Sequence, residues 1–308
     1  MISQLLIYKI LQLFCIMVVG FIIAKLNIIK TKDSIILSKI SLYILMPSAI
    51  LNAFNFKLSD SVVSGIAVAF FAAIVIHALL YLLDLLYGKL INKSPVERAS
   101  VMYSNAGNLI IPIVSFALGA EWVVFSTAFL TVQLFFLWSH GVRLFSSHEK
   151  LSVKKVLLNV NMIAIAIGLS LMLLGVSLPG FVSELTSSFG SMLGPVGMLI
   201  AGMLAADIDF KRIFTNIKIY RVIAARMLIY PCVMLGVLKL FTLLPVSNIE
   251  NILLISFLAS ITPAATSVLQ FAQIYDQDAE YATAINIFTT TVCVITMPLF
   301  VALFEFVI

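Results

Sequence analysis

Two polar stretches interrupted by proline, Asn105-Ala106-Gly107-Asn108-Leu109-Ile110-Ile111-Pro112 and Ser260-Ile261-Thr262-Pro263-Ala264-Ala265-Thr266, lie inside segments otherwise apolar enough to cross a bilayer. At membrane depth a broken helix is tolerated only where its freed backbone groups are buried in protein or line a watery cavity, so each stretch nominates a site. A matched pair, one in each half of a chain, is the sequence mark of a transporter's binding site. The chemistry on offer is recognition. Amides at exposed helix ends carry partial positive charge and receive a carboxylate, while opposed carbonyl ends hold a cation or a polar group. Asn105, Asn108, Thr262 and Thr266 add amide and hydroxyl groups that select among small organic anions, with Pro112 and Pro263 as the helix breakers. Gly107 either lets substrate or a partner helix approach the backbone or serves tight helix packing.

Other polar residues inside apolar segments carry paired readings. Arg226 either attracts an anionic substrate or, one turn from Arg221, snorkels to the headgroups. Gln133 and Gln270 are candidates for the site, interhelical hydrogen bonding being the simpler role for each. Asn52 lines the site or caps its helix, and Asn286 and Thr289 share a helical face that could meet the breaks. His77 is a proton relay or a neutral histidine satisfied by one neighbour. There is no His-Glu-x-x-His, no Gly-x-Ser-x-Gly with partners and no intramembrane aspartate pair, so catalysis is not expected, nor a cofactor or a metal. Cys15, Cys232 and Cys293 have no metal or redox spacing and read as small buried hydrophobes.

The elements that must hold these residues follow from composition. With 62% hydrophobic and 11% charged residues over 308 positions, too little polar surface remains to coat a soluble globule. The chain is therefore expected to be an all-α integral membrane protein. The net charge of +5 suggests membrane orientation and not nucleic acid, because the basic residues fall beside apolar segments. Met1-Ile2-Ser3-Gln4 runs straight into such a segment without a basic n-region or small-residue cleavage site, so a retained first span is expected. Hydropathy gives ten segments: Leu5–Ala24, Ile35–Phe54, Val62–Leu86, Ala99–Leu118, Val123–Phe145, Val156–Leu178, Leu185–Ala206, Val222–Leu244, Ile252–Ile274 and Tyr281–Leu303. Each is about 20 residues, enough for a bilayer core of about 30 Å. Of the 19 basic residues only Lys9, Lys57, Lys239 and Arg226 fall outside the odd-numbered loops, which places those loops in the cytoplasm and both termini on the other side. The protein is expected in the cytoplasmic (inner) membrane as one domain, residues 1–308.

Five spans per half force the second half to enter the membrane from the opposite side, so a repeat of about 1–150 in about 151–308 is inverted. Prolines support it: Pro47 precedes Pro112 by 65 residues and Pro195 precedes Pro263 by 68. Phe56-Lys57 and Phe210-Lys211 also correspond, as do Glu97 and Glu250.

Asn105-x-Gly107-Asn108 ahead of Pro112, and Thr262-Pro263-Ala264-Ala265 followed by Tyr275, Thr289-Thr290-Thr291 and Met297-Pro298, resemble the auxin efflux carrier family in its short bacterial form, over the whole chain. The resemblance implies the ten-span inverted-repeat fold shared with bile-acid:sodium symporters, in which the fourth and ninth spans break at their prolines and cross near mid-membrane. It also implies a homodimer and elevator movement of a crossing-helix domain against a scaffold of the first, second, sixth and seventh spans. Ile113 stands where plant members carry a polar residue after the proline, and the third span offers only Ser64 and His77 before Asp84, which argues against auxin itself. The expected function is a secondary transporter exporting a small organic anion, a carboxylate, by alternating access. The alternatives are an anion channel and a non-transporting membrane sensor of the same fold.

Overall fold

The computed structural model describes residues 2–55, 60–91, 94–119, 122–146, 154, 157–209, 211 and 215–308. Phe56, Lys57 and Phe210, used above as landmarks of repeat and orientation, lie outside them, as do Lys93, Lys150, Lys155 and Arg212 among the basic residues of the odd-numbered loops, and the side chains of Asn108 and Pro112 are likewise not described. The described residues are helical apart from turns and one isolated backbone bridge. In chain order the helices are α1 (Ile2–Lys25), α2 (Thr31–Ala53), α3 (Asp60–Ile91), α4 (Pro95–Met102), α5 (Ala106–Ala117), α6 (Val123–Phe145), α7 (Val160–Leu173), α8 (Gly180–Ala205), α9 (Ile217–Phe241), α10 (Ile249–Ser260), α11 (Thr266–Ile274) and α12 (Ala279–Val307). Among the described residues six helices are long and apolar enough to cross a membrane: α2, α6, α8, α9, α12 and the Ser64–Leu86 stretch of α3. Large apolar side chains such as Phe71, Leu82, Phe181, Leu243, Ile295 and Phe306 stand exposed on the outer surface, as lipid contact requires. This is a multi-pass helical membrane protein.

Local chemistry explains where helices start, widen and stop. α4 opens with Ser94-Pro95-Val96-Glu97: the Glu97 amide donates to Ser94 Oγ (3.2 Å) and the Ser94 amide donates to Glu97 Oε2 (3.1 Å), a reciprocal capping box with proline at the first position. Three helices widen into a π turn, at Ser41–Leu45 in α2, Leu137–Gly141 in α6 and Ala225–Ile229 in α9. The first and third run directly into Met46-Pro47 and Tyr230-Pro231. A proline ring cannot donate to the preceding turn and clashes with its carbonyl, and widening that turn relieves both.

Close backbone approach fixes the packing of α1 on the second half of α8. A Cβ at Gly202 would lie 1.9 Å from the Met17 carbonyl oxygen, and one at Gly20 would lie 2.3 Å from that of Leu199. Both positions demand glycine, the usual device of helices that meet without intervening side chains in a membrane. α2 is held similarly between α7 and the first half of α8, where Gly168 meets the Phe54 ring and Gly190 meets the backbone of Ala49.

Candidate functional site: two broken helices and the cavity they face

The fourth and ninth apolar segments are each two helices, α4/α5 and α10/α11, and the breaks meet. Tyr103 turns extended after α4 (φ −96°, ψ 127°) and Ala265 does so before α11 (φ −64°, ψ 138°). Ser104 and Ala264 pair as an antiparallel bridge, in which the Asn105 amide donates to the Pro263 carbonyl (2.8 Å) and the Ala265 amide donates to that of Tyr103 (3.0 Å). A bridge of this kind leaves the outward-facing amide and carbonyl of each central residue to be satisfied by something else. For Ser104 that partner is Gln133 of α6: Oε1 accepts from the Ser104 amide (3.0 Å) and hydroxyl, and Nε2 donates to its carbonyl (2.9 Å). For Ala264 the partners stand on α12: Asn286 Nδ2 donates to its carbonyl (2.7 Å) and Thr289 Oγ1 accepts from its amide (3.2 Å). Each break is thus clamped from its far side by the long helix that follows it.

The carbonyl ends of α4 and α10 are closed by Arg226 in the π turn of α9. Arg226 is 1% exposed. Nη2 donates to the carbonyls of Ser260 (2.7 Å) and Thr262 (2.7 Å), Nε to Thr262 (3.2 Å) and Nη1 to Val101 (3.2 Å). A helix C-terminus carries about half a negative charge, so two of them offset about one guanidinium charge without any carboxylate.

The amide ends of α5 and α11 face the other way, onto a cavity of about 730 Å³ including its open mouth. Its polar wall is Ser104, Asn105, Gly107, Gln133, Thr266, Ser267 and Gln270, with Thr127 and Thr131 on α6. The opposite wall is apolar: Met46, Ala49, Ile50 and Ala53 of α2 and Phe54 just after it, with Leu193 of α8. No Asp, Glu, Lys, Arg or His is among the described lining residues. A family model for membrane transport proteins matches residues 5–301. The chain belongs to that family. It is the family model of the auxin efflux carriers, which the resemblance of the two breaks anticipates. Comparison with curated proteins gives no match.

In this membrane transport protein the expected site residues divide into three groups. Asn105, Gly107, Thr266, Gln133 and Gln270 come together on the cavity. Thr266 Oγ1 reaches Asn105 Oδ1 at 3.4 Å across the two helix starts, and a Cβ built on Gly107 meets nothing within 4 Å, so that glycine opens on space and not on a packed helix. Thr262, Pro263, Asn286, Thr289 and Arg226 stand behind the cavity and build the breaks themselves. Thr262 Oγ1 donates to the Ala259 carbonyl (3.2 Å). Asn52 is exposed and absent from the described cavity wall. Asn108 lies in the first turn of α5.

Several particular expectations change. Pro263 lies in its break, but Pro112 lies inside α5, and the chain breaks seven residues earlier at 103–105. A proline removes only the hydrogen bond to the carbonyl four residues back, here Asn108, and a helix already under way tolerates that loss where neighbours support it. Arg226 does not snorkel and does not line the cavity, because helix C-termini hold it in the interior. Gln133 and Gln270 do both jobs, since Gln270 Nε2 donates to Ser41 Oγ on α2 (3.1 Å) while its side chain borders the cavity. His77 Nδ1 donates to the Ala73 carbonyl (2.8 Å), its ring lies between Phe129 and Phe136, and Nε2 has no partner, which is the arrangement satisfied by one neighbour.

The site holds two polar groupings not expected above. Ser34, Ser38 and Ser41 share a face of α2 and meet α11 and its end: Ser38 Oγ donates to Gln273 Oε1 (2.6 Å) and Gln273 Nε2 donates to Ser34 Oγ (2.7 Å). The serines' i, i+4, i+7 spacing is the available signal. The second grouping joins Asp84, Arg98, Tyr103 and His140. Arg98 donates to the Asp84 carboxylate through Nε (3.1 Å) and Nη2 (2.6 Å), and His140 lies between that carboxylate and the break.

Proposed function

We propose that this secondary transporter carries a small organic anion, a carboxylate, whose charged end sits against the amide ends of α5 and α11 and whose body lies on the α2 wall. The single observation that carries the reading is the polarity of the crossing: both carbonyl ends are covered by Arg226, and both amide ends open on the cavity. An anion is then bound by backbone dipoles and neutral side chains, with no lysine needed.

The same proposal includes ten spans in two inverted repeats, about 1–150 and about 151–308, in one membrane domain with both termini outside the cytoplasm. Equivalent clamps support the repeat, because α6 and α12 each satisfy the outer edge of the break that precedes them. Alternating access is taken to be elevator movement of the clamped crossing against α1, α2, α7 and α8 in a homodimer, and transport to be efflux. An anion leaving a negative-inside cell gains about 2.3 kcal/mol per 100 mV per charge, enough to drive export without a coupled ion.

The test is uptake and counterflow of radiolabelled malate, malonate, benzoate and other mono- and dicarboxylates in proteoliposomes, with potential, sodium and pH varied separately. Saturable counterflow of one acid, lost in Asn105→Ala, is the expected result. Absence of counterflow for every acid from protein shown to be folded overturns the carboxylate reading. Accumulation inside vesicles against a negative-inside potential without an ion gradient overturns potential-driven efflux.

A further inference from the structure

We propose that His140 is a proton-binding site whose charge state is transmitted through Tyr103 to the paired breaks. The argument rests on what surrounds one ring. His140 stands in the π turn of α6, with Nδ1 2.8 Å from Tyr103 Oη and Nε2 3.9 Å from Asp84 Oδ2. Tyr103 Oη is also 2.9 Å from the carbonyl of Phe136 at the start of that turn, and Tyr103 is the residue whose own carbonyl accepts from the Ala265 amide in the bridge. Gly141, next to His140, is what lets the Tyr103 ring lie against α6, since a Cβ there would meet the ring at 3.2 Å.

A hydroxyl has one proton and a neutral imidazole has one, so the three acceptors cannot all be satisfied at once. In the neutral ring the proton belongs on Nε2, because a bare Nε2 would face the Asp84 carboxylate. Nδ1 then takes the Tyr103 hydroxyl proton, and the Phe136 carbonyl goes without it. When Nδ1 gains a proton from bulk water, it donates to Tyr103 Oη, and the hydroxyl proton turns to the Phe136 carbonyl. Nothing heavier than hydrogen has to move, and the Tyr103 hydroxyl gains the hydrogen bond to Phe136 while the one it shares with His140 becomes charge-assisted. The proton returns to water by the reverse steps. The partly exposed Arg98 side chain marks the open end of the cluster.

The titratable and charged groups facing the ring are Asp84 and Tyr81 of α3, Arg98 of α4, Tyr103 of the break and Arg143 on the same helix. α11, which also packs on this end of α6, offers no titratable residue. Arg98 is engaged by Asp84, and Glu97 on α4 is engaged by the Tyr281 hydroxyl (3.0 Å). Protonation therefore ties the first break more firmly to α6. The carrier reading makes this a route for pH to act on transport, but the site itself does not depend on that reading.

The test uses the full chain in lipid nanodiscs and needs no substrate. Nitrogen-15 spectra of the three histidines, with His140 assigned through His140→Gln, are followed from about pH 3 to about pH 8.5, a window that reaches well below the titration of an ordinary histidine. A neutral Nε2–H tautomer that converts to the imidazolium on acidification is expected. Hydrogen exchange at the Asn105 and Ala265 amides is measured in parallel, each pH referred to Tyr103→Phe. Protection in the wild type is expected to rise about tenfold over the variant as His140 takes its proton, the worth of one charge-assisted hydrogen bond. A ring that holds one form throughout, a neutral Nδ1–H tautomer, or exchange with the same pH dependence in wild type and Tyr103→Phe overturns the proposal. Should His140→Gln not fold, Tyr103→Phe assigns the same ring, because it perturbs only the histidine its hydroxyl touches. Failure of carboxylate counterflow leaves every one of these readouts intact.

Discussion

Replacing Arg226 by methionine separates two roles that an intramembrane arginine can have. The side chain makes four hydrogen bonds to three buried carbonyls, those of Val101, Ser260 and Thr262. At about 0.6 kcal/mol per hydrogen bond, the average for polar contacts between membrane helices, their loss costs about 2.4 kcal/mol. Leaving three buried carbonyls unsatisfied at about 2 kcal/mol each raises that to about 6 kcal/mol. Arg226→Met is therefore expected to destabilise the protein by between about 2 and 6 kcal/mol. Arg226→Lys keeps the charge but not the fork that reaches both helix ends, so it is expected to fall between wild type and methionine. Reversible unfolding in mixed detergent micelles reads the difference directly, and probe affinity is measured on the folded fraction. A methionine variant within about 0.5 kcal/mol of wild type, the scatter of an unremarkable surface change, refutes the capping argument. So does a variant of full stability that has lost only anion affinity, which would return Arg226 to the substrate.

Gly107→Ala is expected to leave folding and transport unchanged, since its Cβ meets open space, whereas Gly107→Asp should fold yet lose anion counterflow by tenfold or more. A carboxylate in the first turn of α5 suits the helix end but competes with the substrate's charge, and equal flux in the two variants contradicts an anion site. Gly202→Ala forces α1 and α8 apart at the Met17 carbonyl and is expected to cost about 1–3 kcal/mol in the same unfolding assay, while Gly236→Ala, where nothing lies within 4 Å, should cost nothing measurable. Gln133→Leu strips both outer groups of Ser104 and should destabilise by about 1–3 kcal/mol. Gln133→Glu keeps the acceptor but loses the donor to the Ser104 carbonyl, and a glutamate variant no better than leucine in melting temperature speaks against the clamp.

The breaks were legible because polar residues beside proline are costly at membrane depth, and both stretches do meet. Their limits were only half legible. Pro263 lies in its break, but at 103–105 the chain turns without a proline, and the signal there is the pair Ser104-Asn105 after a helix announced by Ser94-Pro95-x-Glu97. Gln133, Asn286 and Thr289 stand out as polar residues in apolar helices, yet their partners are backbone groups of a bridge between residues far apart in the chain, which no local period encodes. Arg226 misleads for the same reason. Measured along its apolar segment, Val222–Leu244, it is about one turn from an end, but its helix starts earlier, at Ile217, and only the three-dimensional meeting of two other helix ends explains what holds it there. His140 carries only the mark of a histidine inside the apolar segment Val123–Phe145, and its meaning comes from Tyr103 and Asp84 on other elements.

What distinguishes the two sides of the crossing is the backbone, and side-chain identity follows from it. On the carbonyl side the need is for positive charge in a closed space, and a single arginine with a planar fork can reach both helix ends. On the bridge itself the need is for one donor and one acceptor at each outer edge, met by the two ends of one amide at Ser104 and by an amide with a hydroxyl at Ala264. These contacts come from α6, α9 and α12, which fixes the breaks to those three helices and leaves α2 as the apolar face across the cavity. Among the described residues the side-chain hydrogen bonds between α2 and α11 are neutral serine and glutamine contacts, which cost far less to exchange than buried charge. Strength is therefore concentrated within the crossing and withheld from its boundary with α2, the distribution that the proposed movement of one body past the other would need.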